Sequence, residues 1–191
     1  MSSSSAVGTA VLLIITLVLS GCGSSAQPTN ALAGQAALSQ ATGVLPVDDR
    51  PPPPSLQGPL LDGGEFDLAT KRGQVVVINT WGSWCAPCRA EARALEQVYA
   101  LTKASGVLFL GINVRDNRPA ATAFQRTYNV SYPSLFDEDG TILARFRDLP
   151  PSAIPSTLVL DRQGRTAARF VGGLRVDDLL PVVRQVAAEP A

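Results

Sequence analysis

Cys85 and Cys88, two residues apart in "NTWGSWCAPCRAE" (79–91), are the pair whose type and spacing could do chemistry in this 191-residue chain. A C-x-x-C pair suits half a zinc site as well as a dithiol that opens and closes. Zinc needs four ligands, and the chain holds three cysteines and no histidine. The third, Cys22, lies more than sixty residues away. Without histidine the usual general base, the usual triads and the commonest metal ligand are all missing. A purely structural disulfide is a weak alternative, because closing so short a loop removes little chain entropy. A redox dithiol is what remains.

The flanking sequence gives the pair an asymmetric setting. "VVVINTW" (75–81) is a continuous, largely β-branched run and predicts a strand buried on both faces. From Pro87, Leu95, Val98, Tyr99 and Leu101 recur at three- and four-residue spacing, predicting a helix to about Lys103. Cys85 falls where strand gives way to helix. The free N–H groups of the first turn and the helix dipole favour its thiolate. Cys88 lies on the same helical face, one turn deeper and less open to solvent. Between them, Ala86 precedes Pro87, which stiffens the bridge and gives up an N–H that the first turn does not need. Cys85 is therefore expected to attack, or be attacked, and Cys88 to resolve the mixed disulfide.

The elements that hold this segment read as β-hairpin, β, α, β, α, β, β, α. "LLDGGEFDL" (60–68) predicts the hairpin, "GVLFLGINV" (106–114) a second buried strand, and "PAATAFQRTYNV" (119–130) a helix opened by Pro119. "STLVLD" (156–161) and "RTAARFVGG" (165–173) predict an antiparallel pair. "VDDLLPVVRQVAA" (176–188) predicts a last helix that Pro181 should kink or start late. This is an α/β fold, a three-layer sandwich on a mixed sheet.

Ahead of the domain, "AVLLIITLVL" (10–19) is too short to span a bilayer but has the length of a signal-peptide core. It ends in "LSGC" (19–22), which resembles the bacterial lipobox and makes Cys22 the expected lipidation site. No Lys or Arg precedes Arg50, so the usual positive start of such a signal is absent. Residues 22–54, rich in Ser, Ala and Pro and ending in "PPPP", read as a disordered tether, with the folded domain at 55–188. Sixteen basic and sixteen acidic residues cancel, and no block of like charge points to nucleic acid.

"VVVINTWGSWCAPCRAE" resembles the active-site segment of the thioredoxin superfamily, specifically its extracytoplasmic TlpA/ResA-type members. The resemblance spans about 55–188 and implies a thioredoxin-like α/β/α fold with an N-terminal hairpin and a βα insertion near 115–132. Asn79 stands where cytosolic thioredoxins carry a buried Asp. Glu91, on the face of Cys88, is implied as the acceptor of the deeper thiol's proton. Pro155 in "AIPST" matches a cis-proline facing the cysteines, which would turn the backbone of Ile154 toward an extended substrate. Trp84, Ala86, Pro87, Ile154 and Pro155 would then contact substrate, with Trp84 packed over the dithiol and Trp81 in the core. Arg93 departs from the family, which often has a helix-kinking proline there.

The resemblance also implies an activity: a membrane-tethered thiol–disulfide oxidoreductase outside the cytoplasm, a monomer with no cofactor beyond the Cys85–Cys88 disulfide. Its partners would be thiols or disulfides of exported proteins, apocytochrome c among them, and a membrane redox partner. Ala86-Pro87 leaves reductase and oxidase both open. Two alternatives on the same fold are a thiol peroxidase and a Cu(I)-binding chaperone. "NTWGSWC" lacks the Pro-x-x-x-Thr-x-x-Cys setting of the first, and the missing histidine weakens the second.

Overall fold

The structure, a computed structural model, describes residues 40–190 except 53, 147 and 148. The signal segment, Cys22 and the tether as far as residue 39 lie outside the described residues.

The chain runs β1 (Gln40–Thr42), β2 (Gln57–Pro59), β3 (Glu65–Asp67), β4 (Val75–Trp81), α1 (Ala86–Thr102), β5 (Val107–Val114) and α2 (Arg118–Tyr128). It continues through β6 (Ser134–Asp137), α3 (Thr141–Ala144), β7 (Ser156–Leu160), β8 (Thr166–Val171) and α4 (Val176–Ala187). Six strands form one sheet in the order β1-β8-β7-β4-β5-β6, and β2 and β3 form the hairpin. β4, β5 and β6 are parallel, while β7, β8 and β1 are antiparallel to their neighbours. The sheet is mixed, as expected.

Alternation along β4 builds two cores. Val75 and Val77 join Leu95 and Val98 of α1 and Leu179 and Val183 of α4. Val76 and Ile78 face the other way, against Phe66 of the hairpin and Leu143 of α3. The three layers are therefore the α1/α4 helices, the sheet, and a cover made of the hairpin and one-turn α3. α4 runs without a break through Pro181, so its start is not delayed. β6 and α3 went unread because four residues are too few to show a period. α3 is instead started by the Asp137 carboxylate, which accepts from the Ile142 and Leu143 N–H groups at 2.9 and 2.8 Å.

The boundary at residue 55 needs correction. β1 pairs with β8, and the Leu45 N–H donates to the Ala167 carbonyl at 2.8 Å. Arg50, 7% exposed, donates to Asp161 at 3.1 Å and to both oxygens of Glu189 at 2.6 Å. A tether-like composition hid this because strand pairing, Val44 and one buried guanidinium fix the segment without a sustained apolar period. Breaking a buried ion pair leaves its partner uncompensated, so Arg50→Ala should lower stability by about 3 kcal/mol in urea unfolding. A loss under about 0.5 kcal/mol would mean the segment is not fastened there.

Candidate active site

β4 ends at Trp81, and a turn closed by the Cys85 N–H on the Gly82 carbonyl (3.1 Å) brings Cys85 to the N-cap of α1. Its sulfur accepts from the Cys88 N–H at 3.2 Å, the free first-turn donor that the sequence places there. Cys85 and Cys88 are joined as a disulfide. Cys85 is 3% exposed and Cys88 1%, so the expected contrast in solvent access is slight in the disulfide state. Both cysteines belong to a buried cluster with Trp81, Ala92 and Phe124, against which Ile154 packs.

Glu91 follows Cys88 by three residues on α1. It is 3% exposed, and its oxygens accept from Asn79 Nδ2 at 2.9 Å and from the Leu174 N–H at 3.1 Å. Burial drives its pKa up to about 8, against the pull of those two hydrogen bonds. Asn79 also donates to Thr157 Oγ1 at 3.1 Å, tying Glu91 to β7. A cavity of about 10 Å³, room for roughly one water, lies against Cys88 between Asn79 and Tyr132.

The Ile154–Pro155 peptide is cis, and Ile154 packs beside the cysteine cluster. The Ile154 N–H, however, donates to the Ser152 carbonyl at 3.2 Å. Of its two backbone groups, only the carbonyl is left to a substrate without exchange of a bond. Ala86 and Pro87 are exposed beside the disulfide. Trp84 is 51% exposed, and its indole is fixed at the end of β5. Its N–H donates to the Arg115 carbonyl at 2.9 Å and to that of Val114 at 3.3 Å, and the ring covers Gly82 so closely that a Cβ there would meet it at 2.6 Å. Trp81 is core, stacked on Phe124 at 4.5 Å between centroids. Arg93 is exposed on an unbroken α1.

Sequence reasoning missed Asp116, which holds Ser83, Asn113, which holds Asp116, and the Leu174 N–H on Glu91. The signal for Asp116 was available. β4 and β5 are parallel, so the residues after "GINV" must emerge beside those after "VVVINTW".

The sequence model of the AhpC/TSA family matches residues 51–169. The chain belongs to that family. Among AhpC/TSA-related proteins it is similar to the thiol-disulfide oxidoreductase ResA of Geobacillus kaustophilus, 28% identical over 62% of this chain and 67% of the relative. ResA of Bacillus subtilis is 29% identical over 58% of this chain and 60% of its own. Of solved structures, a secreted thiol-disulfide isomerase from Corynebacterium glutamicum superposes with a TM-score of 0.73 at 35% identity, covering 78% of this chain and 92% of that one. A secreted Mycobacterium tuberculosis disulfide oxidoreductase homologous to E. coli DsbE gives 0.61 at 30%, covering 69% and 96%. This AhpC/TSA member is a ResA-like thiol–disulfide oxidoreductase of thioredoxin fold. Among the described residues no cluster of three or more His, Cys, Asp or Glu could hold a metal ion, and no helix is long and apolar enough to cross a membrane.

Proposed function

We propose that the protein is a lipid-anchored reductant of disulfides in exported proteins, with Cys85 as nucleophile, Cys88 as resolving thiol and Glu91 as the proton acceptor for Cys88. The observation that carries this is a C-x-x-C disulfide at a helix N-cap with a buried carboxyl group three residues along the same helix.

The cycle balances in two steps. The Cys85 thiolate attacks one sulfur of a substrate disulfide, forming a mixed disulfide and releasing a substrate thiolate. Glu91 then takes the Cys88 proton. The Cys88 thiolate attacks Cys85, releasing the second substrate thiolate and closing the Cys85–Cys88 disulfide. Two electrons pass to the substrate. In the disulfide state, burial keeps Glu91 protonated at neutral pH. When a membrane thiol donor reopens the disulfide at Cys85, Cys88 leaves as a thiolate and takes that proton back. Glu91 thus exchanges one proton with Cys88 in both directions.

What supports Cys85 favours the reducing direction. A strong oxidant needs its reduced form heavily stabilised. Here one helix N–H meets the sulfur, and the nearby Arg89 guanidinium donates to the Ser83 carbonyl at 2.7 Å. The substrate docks as an extended segment against Pro87, Trp84, Ile154 and Pro155, using the Ile154 carbonyl. Apocytochrome c, whose cysteines must be reduced before haem attachment, is such a substrate. Lipidation of Cys22 holds the domain outside the membrane. Titration of the Cys85–Cys88 couple tests the direction of electron flow.

A further inference from the structure

The two residues before Cys85 are fastened from outside their own strand. The Asp116 carboxylate, on the turn after β5, accepts from the Ser83 N–H at 2.6 Å and from Ser83 Oγ at 2.8 Å. It also accepts from Asn113 Nδ2 and from the Asn117 N–H, each at 2.9 Å. Burial pushes its pKa up, but these four donors outweigh that and hold the carboxyl below its usual range. The clamp therefore stays ionised where the thiols titrate. Arg115, next in line, receives the Trp84 N–H on its carbonyl and donates to the Pro151 carbonyl at 2.8 Å, on the loop leading to Pro155.

Asn113 supplies an independent observation. It sits opposite Trp81 in the β4–β5 ladder and is fully buried, yet its Oδ1 has no hydrogen-bond partner. A buried carbonyl oxygen left unpaired is destabilising, and an apolar residue would avoid it. The amide's other end is committed to Asp116. This arrangement favours the clamp over stability.

We propose that Asp116 is a positioning residue for exchange at Cys85, locking the Gly82–Cys85 turn so that the sulfur stays on the first-turn N–H of α1. The chain of contacts runs from Asp116 to Ser83, through the Cys85 N–H to Gly82 O bond, to the Cys88 N–H on Cys85 Sγ. The proposal rests on Cys85 being the attacking thiol.

Removing Asp116 has two opposed effects. Loss of a nearby negative charge would lower the Cys85 pKa, whereas loss of the lock would raise it. Charged groups around the thiol are Arg89 and Glu91 on α1 and Arg115 and Asp116 after β5. The lock is the larger effect. The test is the pH dependence of iodoacetamide alkylation at Cys85 in the reduced full chain, followed by mass spectrometry. Asp116→Ala should move the Cys85 profile up by about one pH unit, a tenfold loss of thiolate on the acid side. Asp116→Asn, which keeps an acceptor oxygen, should recover part of this. Ser83→Ala, which loses only the Oγ bond, should shift it about threefold in the same direction. If Asp116→Ala fails to fold, the other two variants decide. Profiles that coincide with the unmodified protein's, or move to lower pH, overturn the proposal even if melting temperatures fall. If Cys88 rather than Cys85 is alkylated first in the unmodified protein, the Cys85 assignment falls and the proposal with it.

Discussion

Cys88→Ser turns the protein from a catalyst into a trap. Cys85 still attacks, but no second thiol lies in the first turn of α1 to displace the substrate, so a covalent complex accumulates. Turnover falls on the order of 1,000-fold while the first step survives. Cys85→Ser loses both steps and traps nothing. The asymmetry follows from position. Cys85 caps the helix beside exposed Ala86 and Pro87, whereas Cys88 is buried one turn in, three residues before Glu91 on the same helix. Non-reducing electrophoresis with a disulfide-bonded substrate, followed by mapping of the linked cysteine, checks it. Complexes through Cys88 in the Cys85→Ser variant would reverse the two roles.

Glu91→Gln should slow the resolving step about 100-fold near pH 8, since a buried thiol then has no base beside it. The limb of the pH–rate profile governed by a group with a pKa of about 8 should vanish with it. The same substitution has a signature in stability. The folded protein holds the Glu91 proton more tightly than the unfolded chain, whose carboxyl titrates near 4.5. Between those values the native state binds more protons, so unfolding free energy falls as pH rises, by up to about 1.4 kcal/mol per pH unit. Below 4.5 Glu91 causes no such loss, and above about 8 the loss is complete. Glu91→Gln should remove this slope and be the more stable protein at alkaline pH. Urea unfolding from pH 5 to 9 separates the cases, and parallel curves would place Glu91 in contact with solvent.

The dithiol was legible in the sequence because it lies in a strongly patterned segment, and Glu91 and the cis-proline through the family resemblance of the segments that hold them. "VVVINTW" could only be a buried strand, and that fixed Cys85 at a helix start. The contacts that support the site were harder to read. Asp116 and Leu174 act through hydrogen bonds to segments far apart in sequence, to Ser83 and Glu91, and no periodicity marks them. Arg50 is the same case at the domain edge, where an ion pair with Asp161 and Glu189 orders a stretch of tether-like composition. Nor does the sequence show that the Trp84 indole N–H finds carbonyls at the end of β5, a partner that only tertiary structure supplies.

Electron flow is decided by the couple itself. Equilibration of the full chain against glutathione buffers at pH 7, with the free thiols counted by alkylation, gives its midpoint potential. A reductant supported by one helix N–H and a buried Glu91 should titrate as a single two-electron step below about −180 mV. A midpoint above about −180 mV, or failure of Cys85 and Cys88 to titrate together, would contradict a reducing dithiol at this site.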